Sequence, residues 1–199
     1  EKHFEQVKRS MISHALESAD KDASFASKGI RALPGVADFL EMLHQPSRSR
    51  NLNVIIALCT GNLEPIGWLK MESLGLKPFF TAPALGGFGS DYWGKDVARP
   101  SEDRAQLLRI ARDKAEASLK RRGATPTPSS DGDTDFAGLT NIIRHVHVGD
   151  SPFDIKAAEL ANAIPLGVTT GVFSEEELRE VSSNPANIKV LESLSNGEE

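Results

Sequence analysis

Between Arg144 and Phe173 the chain reads RHVHVGDSPFDIKAAELANAIPLGVTTGVF, and no other stretch limits the possible folds as strongly. A short alternating apolar run, Val146 and Val148, stops at Gly149 and Asp150. Ser151 and Pro152 then open a pattern with Ile155, Ala158 and Leu160 at helical spacing. The expected structure is a strand, a tight turn and a helix, with Ser151 as the N-cap and Pro152 in the first turn. Ile164 to Thr170 follows as a second buried strand, at the distance that a right-handed parallel crossover needs. Asp150 and Asp154 then face the crevice at the carboxyl ends of the strands, where open α/β sheets bind ligands. Two carboxylates in that place suit a hard cation such as Mg2+. Taken in isolation, Asp150 as a turn former and Asp154 as a first-turn acid favoured by the helix dipole explain the same residues equally well.

The remaining chain supplies the other layers of an α/β fold. Phe4, Val7, Met11, Ala15 and Leu16 form a helical stripe, 24–28 reads as a loop, and Pro34 opens a helix carrying Val36, Phe39, Leu40 and Leu43. Residues 46–51 end that helix. Leu52 to Leu58 is a nearly continuous apolar run, expected to form a strand covered on both faces. A helix over 63–74, a strand over 79–85, a glycine-rich turn over 86–91 and a helix over 102–121 follow. That last helix turns Leu107, Ile110, Ala111 and Leu119 inward. Residues 123–141, rich in Pro, Ser and Asp, read as a mobile connection.

The string from Gly149 to Phe173 resembles the fourth motif of the haloacid dehalogenase (HAD) superfamily of phosphohydrolases, GDTPxDIxAAxxAG followed by a V-x-T-G strand end. LCTGNLEPIGWLKMESLGLKPFF, residues 58–80, resembles the second motif in its phosphoglycolate-phosphatase-like version, and GGFGSD at 86–91 is common in the same relatives. Asp103-Arg104-Ala105-Gln106-Leu107 is similar to the helix start that carries the third motif's cation. The resemblance implies a Rossmann-like, doubly wound parallel sheet. Residues 1–28 would be the end of a helical cap, and 29–199 the core with its insertion at 123–141.

It also implies a magnesium-dependent phosphatase that hydrolyses a small phosphorylated metabolite through an aspartyl-phosphate. By resemblance Asp150 and Asp154 serve the metal, and Thr60, Gly61 and Asn62 hold the phosphate. Arg104 would stabilise the transferring phosphoryl group. Residues 92–102 run longer than the family pattern, which leaves Lys95 and Arg99 as alternative cations. His145 and His147 are expected in structural or solvated roles.

The first motif, D-x-D-x-T, supplies the nucleophile and the acid/base in this superfamily. Asp131-Gly132-Asp133-Thr134 has the spacing, but TPTPSS precedes it where a buried strand belongs. Asp131, Asp133 and Asp135 are no calcium loop either, because Phe136 and Ile142 stand where glycine and the bidentate acid should be. The central nucleophile-bearing strand is therefore expected to lie outside this chain, and the isolated 199-residue chain to be inactive. Its absence would leave a gap of roughly 10 Å between the strand ending at Thr60 and the one ending at Asp150. A regular ladder between Val54–Ile56 and Val146–Val148 would contradict that. The alternatives are a non-catalytic or split module that senses phosphate or binds a partner, and a dehalogenase on the same scaffold.

Composition restricts the remaining classes. A length of 199 residues with 39% hydrophobic content suits one domain. A net charge of −5 and a pI near 5.6 argue against a nucleic-acid partner. No apolar run reaches membrane length, and no signal-peptide pattern opens the sequence. The single cysteine, Cys59, excludes an internal disulfide and is expected as a buried inert thiol. A cytoplasmic setting is the resulting expectation, with oligomeric state left open.

Overall fold

The computed structural model of the chain describes residues 2–44, 53–82, 84–92, 99–123 and 142–195. Helices α1 (Lys2–Lys21) and α2 (Val36–His44) precede a strand β1 (Leu58–Thr60), helix α3 (Glu64–Ser73) and strand β2 (Gly86–Phe88). The long helix α4 (Pro100–Gly123) follows, and then β3 (Val146–Gly149), α5 (Pro152–Leu160), β4 (Ile164–Val168), α6 (Glu175–Glu180) and β5 (Lys189–Leu191). This is an α/β fold built on parallel strands. Residues 124–141 and Lys95 lie outside the described residues.

The strands form two sheets. β1 pairs parallel with β2, setting Leu58, Cys59 and Thr60 opposite Gly86, Gly87 and Phe88. β3 pairs parallel with β4, Val146 opposite Ile164 and Gly149 opposite Gly167, and β4 pairs parallel with β5. β1 and β3 belong to different sheets, and each has a neighbour on one side only among the described residues. The ladder between Val54–Ile56 and Val146–Val148 is accordingly absent among them.

Three expectations are corrected. The apolar run 52–58 is a strand only at its end: Leu58–Thr60 find a ladder partner, while Ile56 exchanges bonds with Thr81 through its backbone and hydroxyl. The strand expected over 79–85 instead starts with a single 3₁₀ turn at Lys77–Phe79. The presumed glycine turn contains the strand itself, β2, buried throughout. Glycine is needed there for close approach. A Cβ on Gly86 would lie 2.4 Å from the Leu58 carbonyl oxygen, and one on Gly87 would lie 2.0 Å from that of Leu107. Neither β5 nor α6 is anticipated by the sequence pattern, although Ser174 and Glu177 form a complete capping box at the start of α6.

Packing ties the two sheets together through α4. Ala105 and Leu108 of α4 meet Ala157 and Ala158 of α5, with Ala161 and Ala163 beyond them and Cys59 of β1 against the same cluster. A second cluster joins Ile155 of α5 to Leu178 and Ile188, with Phe173, Val181 and Val190 around it. Phe88 is completely buried and meets Trp68 edge-on at 5.6 Å between ring centres. Gly87→Ala is expected to destabilise the fold by about 1–3 kcal/mol, because the clash is with backbone that cannot rotate away. Gly61→Ala, whose Cβ would meet nothing within 4 Å, is expected to stay within about 0.5 kcal/mol. Urea denaturation of the two variants side by side measures the difference.

Candidate functional site

The chemistry-bearing residues sit at the carboxyl ends of β1 and β3. Thr60 closes β1, and its hydroxyl oxygen accepts from the Asn62 backbone N–H at 3.2 Å and from the Asn62 side-chain amide at 2.9 Å. With both lone pairs engaged, the hydroxyl proton of Thr60 is the group left to donate outward. Gly89 pins the turn by donating its N–H to the Thr60 and Asn62 carbonyls at 3.1 and 2.9 Å. Open space adjoins Gly61 where a side chain would stand. The next helix, α3, lacks a side-chain cap of its own, and the Ser90 hydroxyl accepts from the Glu64 N–H at 3.1 Å instead.

At the end of β3, Ser151 is the N-cap of α5 as expected, accepting from the Asp154 N–H. Asp154 is buried, and its carboxylate lies across Gly149, whose added Cβ would come within 2.3 Å of the Asp154 Cβ. One carboxylate oxygen, Oδ2, accepts from the Ser151 hydroxyl at 2.7 Å. The other, Oδ1, is ion-paired with the Arg104 guanidinium of α4 and lies 3.7 Å from His147 Nε2. Burial works to raise the pKa of this carboxyl. His147, Ser151 and the charge of Arg104 outweigh burial and hold it well below the usual carboxylate range. Asp150 is directed elsewhere, toward Gly171 after β4, where an added Cβ would meet its Oδ2 at 2.3 Å.

The two carboxylates thus lie against different glycines, Asp154 over Gly149 and Asp150 toward Gly171. Among the described residues no three His, Cys, Asp or Glu side chains gather into a metal-binding group. Magnesium requires near-octahedral oxygen ligands at about 2.0–2.1 Å. Asp154, with one oxygen bonded to a hydroxyl and the other against a guanidinium, does not fit such a ligand in this arrangement.

Arg104 contacts Asp154 and, at 3.4 Å, the Ser151 hydroxyl. Arg99 is ion-paired with Glu102 at 3.2 Å on the surface of α4. Lys70 of α3, which the sequence reading passed over, donates to Asn62 Oδ1 at 3.2 Å and brings a positive charge to the Thr60 turn. Its position eight residues beyond Asn62, two helical turns into α3, was the available signal. His147, expected in a structural or solvated role, stands against Asp154. Cys59 lies beside the same group, and its thiol is pushed up to about 12 by burial first and by the Asp154 charge second. An inert thiol was the expectation for it.

Residues 140–196 match the protein-family description HAD-hydrolase-like, a span that begins just before β3 and ends beyond β5. A partial HAD-like hydrolase domain is present there. The match is to the superfamily and carries no phosphoglycolate-phosphatase identity. The curated proteins gave no match. Among the described residues no helix is long and apolar enough to cross a membrane.

Asp154 makes the site's acid response testable. Its folded pKa is depressed, so the stability it contributes is present above the unfolded value near ~3.9 and is lost as pH falls below it. Wild-type protein is expected to lose stability more steeply than Asp154→Asn between about pH 5 and pH 2. Urea unfolding followed across that range by circular dichroism measures the two slopes.

Proposed function

We propose that this chain is a phosphate-recognising module on a HAD-like scaffold that does not hydrolyse phosphate esters by itself. The observation that carries the reading is the commitment of Asp154 to Arg104 and Ser151, which leaves the carboxylates at the end of β3 without a shared focus. The Thr60 turn supports the recognition half. It combines an outward-available hydroxyl proton, open space beside Gly61 and the ammonium group of Lys70 next to Asn62. A dianionic phosphate group on a small metabolite suits that set, since donors and a fixed positive charge are what such a group binds.

A second reading has one observation in its favour. β1 and β3 each leave an edge without a strand partner among the described residues, and both carry their polar groups at the carboxyl end. A strand added between them, bearing the first-motif aspartates, would complete a parallel sheet and give a magnesium-dependent phosphatase of the HAD type. Metal service by Asp150 and Asp154, phosphate binding by Thr60, Gly61 and Asn62, and a phosphoryl-stabilising role for Arg104 all belong to that completed state.

The two readings part in one experiment on the purified chain. Inorganic phosphate is expected to shift the amide resonances of Thr60, Gly61 and Asn62, and Thr60→Val to reduce binding about tenfold, the loss of one charge-assisted hydrogen bond. No phosphate should be released from p-nitrophenyl phosphate, with or without magnesium. Magnesium-dependent release that disappears in Asp150→Asn would overturn the non-hydrolysing reading.

A further inference from the structure

We propose that Arg104 is a resident counter-cation that closes the Asp154 carboxylate to divalent metal, an arginine latch over the turn that joins β3 to α5. The inference deepens the reading above and takes its location from it. Its test reads metal response rather than phosphate binding, so either can fail without the other.

Three features make the ion pair a latch rather than a passing surface contact. The first is placement by the core. Ala105, next to Arg104, is completely buried against α5, and Ala157 and Ala158 of α5, one turn beyond Asp154, are completely buried in the same cluster. The packing that joins α4 to α5 therefore fixes the guanidinium over the carboxylate. The second is the way both helix ends are held. Arg104 meets the acid in the first turn of α5, while Arg109 donates to the carbonyl of Leu160 at its last residue. Each cation serves an end of α5 by a different route: one neutralises an acid, and the other satisfies an orphan carbonyl at the negative pole.

The third feature is unequal exposure. The Asp154 side chain is 11% exposed and the Arg104 side chain 46%. The carboxylate is enclosed by Gly149, Ser151 and His147, and its remaining charge partner enters from α4. A dication approaching Oδ1 would have to stand beside a guanidinium already in contact, with like charges at close range.

Removing the guanidinium should therefore create a response to metal that the wild-type protein lacks. Wild type is expected to melt at the same temperature in millimolar MgCl2 as in NaCl of matched ionic strength. Arg104→Gln is expected to melt lower in NaCl and to gain about 2–4 °C from MgCl2, whereas the double variant with Asp154→Asn should show no gain. A metal-dependent gain in wild type, its absence in Arg104→Gln, or its persistence in the double variant would each overturn the latch. Should Arg104→Gln fail to fold, substoichiometric Mn2+ added to the wild type decides the question. Unbroadened amide resonances from Gly149 to Ile155 support the latch, and broadening there overturns it.

Discussion

The contact between α4 and α5 is the constraint on which the rest of this structure depends. β1 and β2 form one sheet and β3, β4 and β5 another, and α4 is the helix that touches β1, β2 and α5. The contact is made mainly of alanines, with Leu108 as its one large, almost fully buried side chain. Burying a leucine contributes about 1.5–3 kcal/mol, and the alanines contribute less by area than by allowing the helix axes to approach. Arg104 and Arg109 then reach the two ends of α5 from neighbouring turns of α4. Packing and electrostatics thus set the same register, and a shift of α4 along α5 would break both.

That dependence explains why the strands can be so short. β1, β2 and β5 have three residues each, and a two-stranded parallel ribbon of that size has no independent stability in water. The β1–β2 ribbon persists because α3 and α4 cover it: Phe88 is enclosed by Trp68 and Gly67 on one side, with Lys114 over its ring at 5.4 Å. Gly86 and Gly87 serve the same end by letting Leu58 and the backbone of α4 come closer than any side chain would permit. Parallel strands need cover on both faces, and here the helices provide it before the sheet is continuous.

The sequence made some of this legible, and the reasons for the failures are physical. Ser151, Pro152 and the apolar spacing after them identified the turn between β3 and α5, because capping and helix periodicity are local properties. β2 was misread as a turn because glycine signals backbone freedom in a sequence, whereas here it answers to crowding from residues about 20 to 30 positions away. The apolar run before Thr60 promised a longer strand than it forms, since hydrophobicity does not say where a ladder partner ends. At the site, the strand ends of Thr60 and Asp150 could be placed from pattern alone. The direction of a carboxylate could not, nor the arginine 50 positions away that would reach Asp154.

Charge satisfaction is what separates the two ends of the site. A buried carboxylate must have partners, and Asp154 has them in Ser151, Arg104 and the nearby His147. Asp150, half-buried and turned toward Gly171, carries no such set among the described residues. The acid that a metal would share with Asp150 is therefore the one that this fold has already neutralised. At the other sheet the polarity is reversed: the Thr60 turn presents donors and the charge of Lys70 with no carboxylate bonded to it among the described residues. A group that is negative all round fits the Thr60 end as it stands. A cation would first have to displace a guanidinium held in place by the core of the protein.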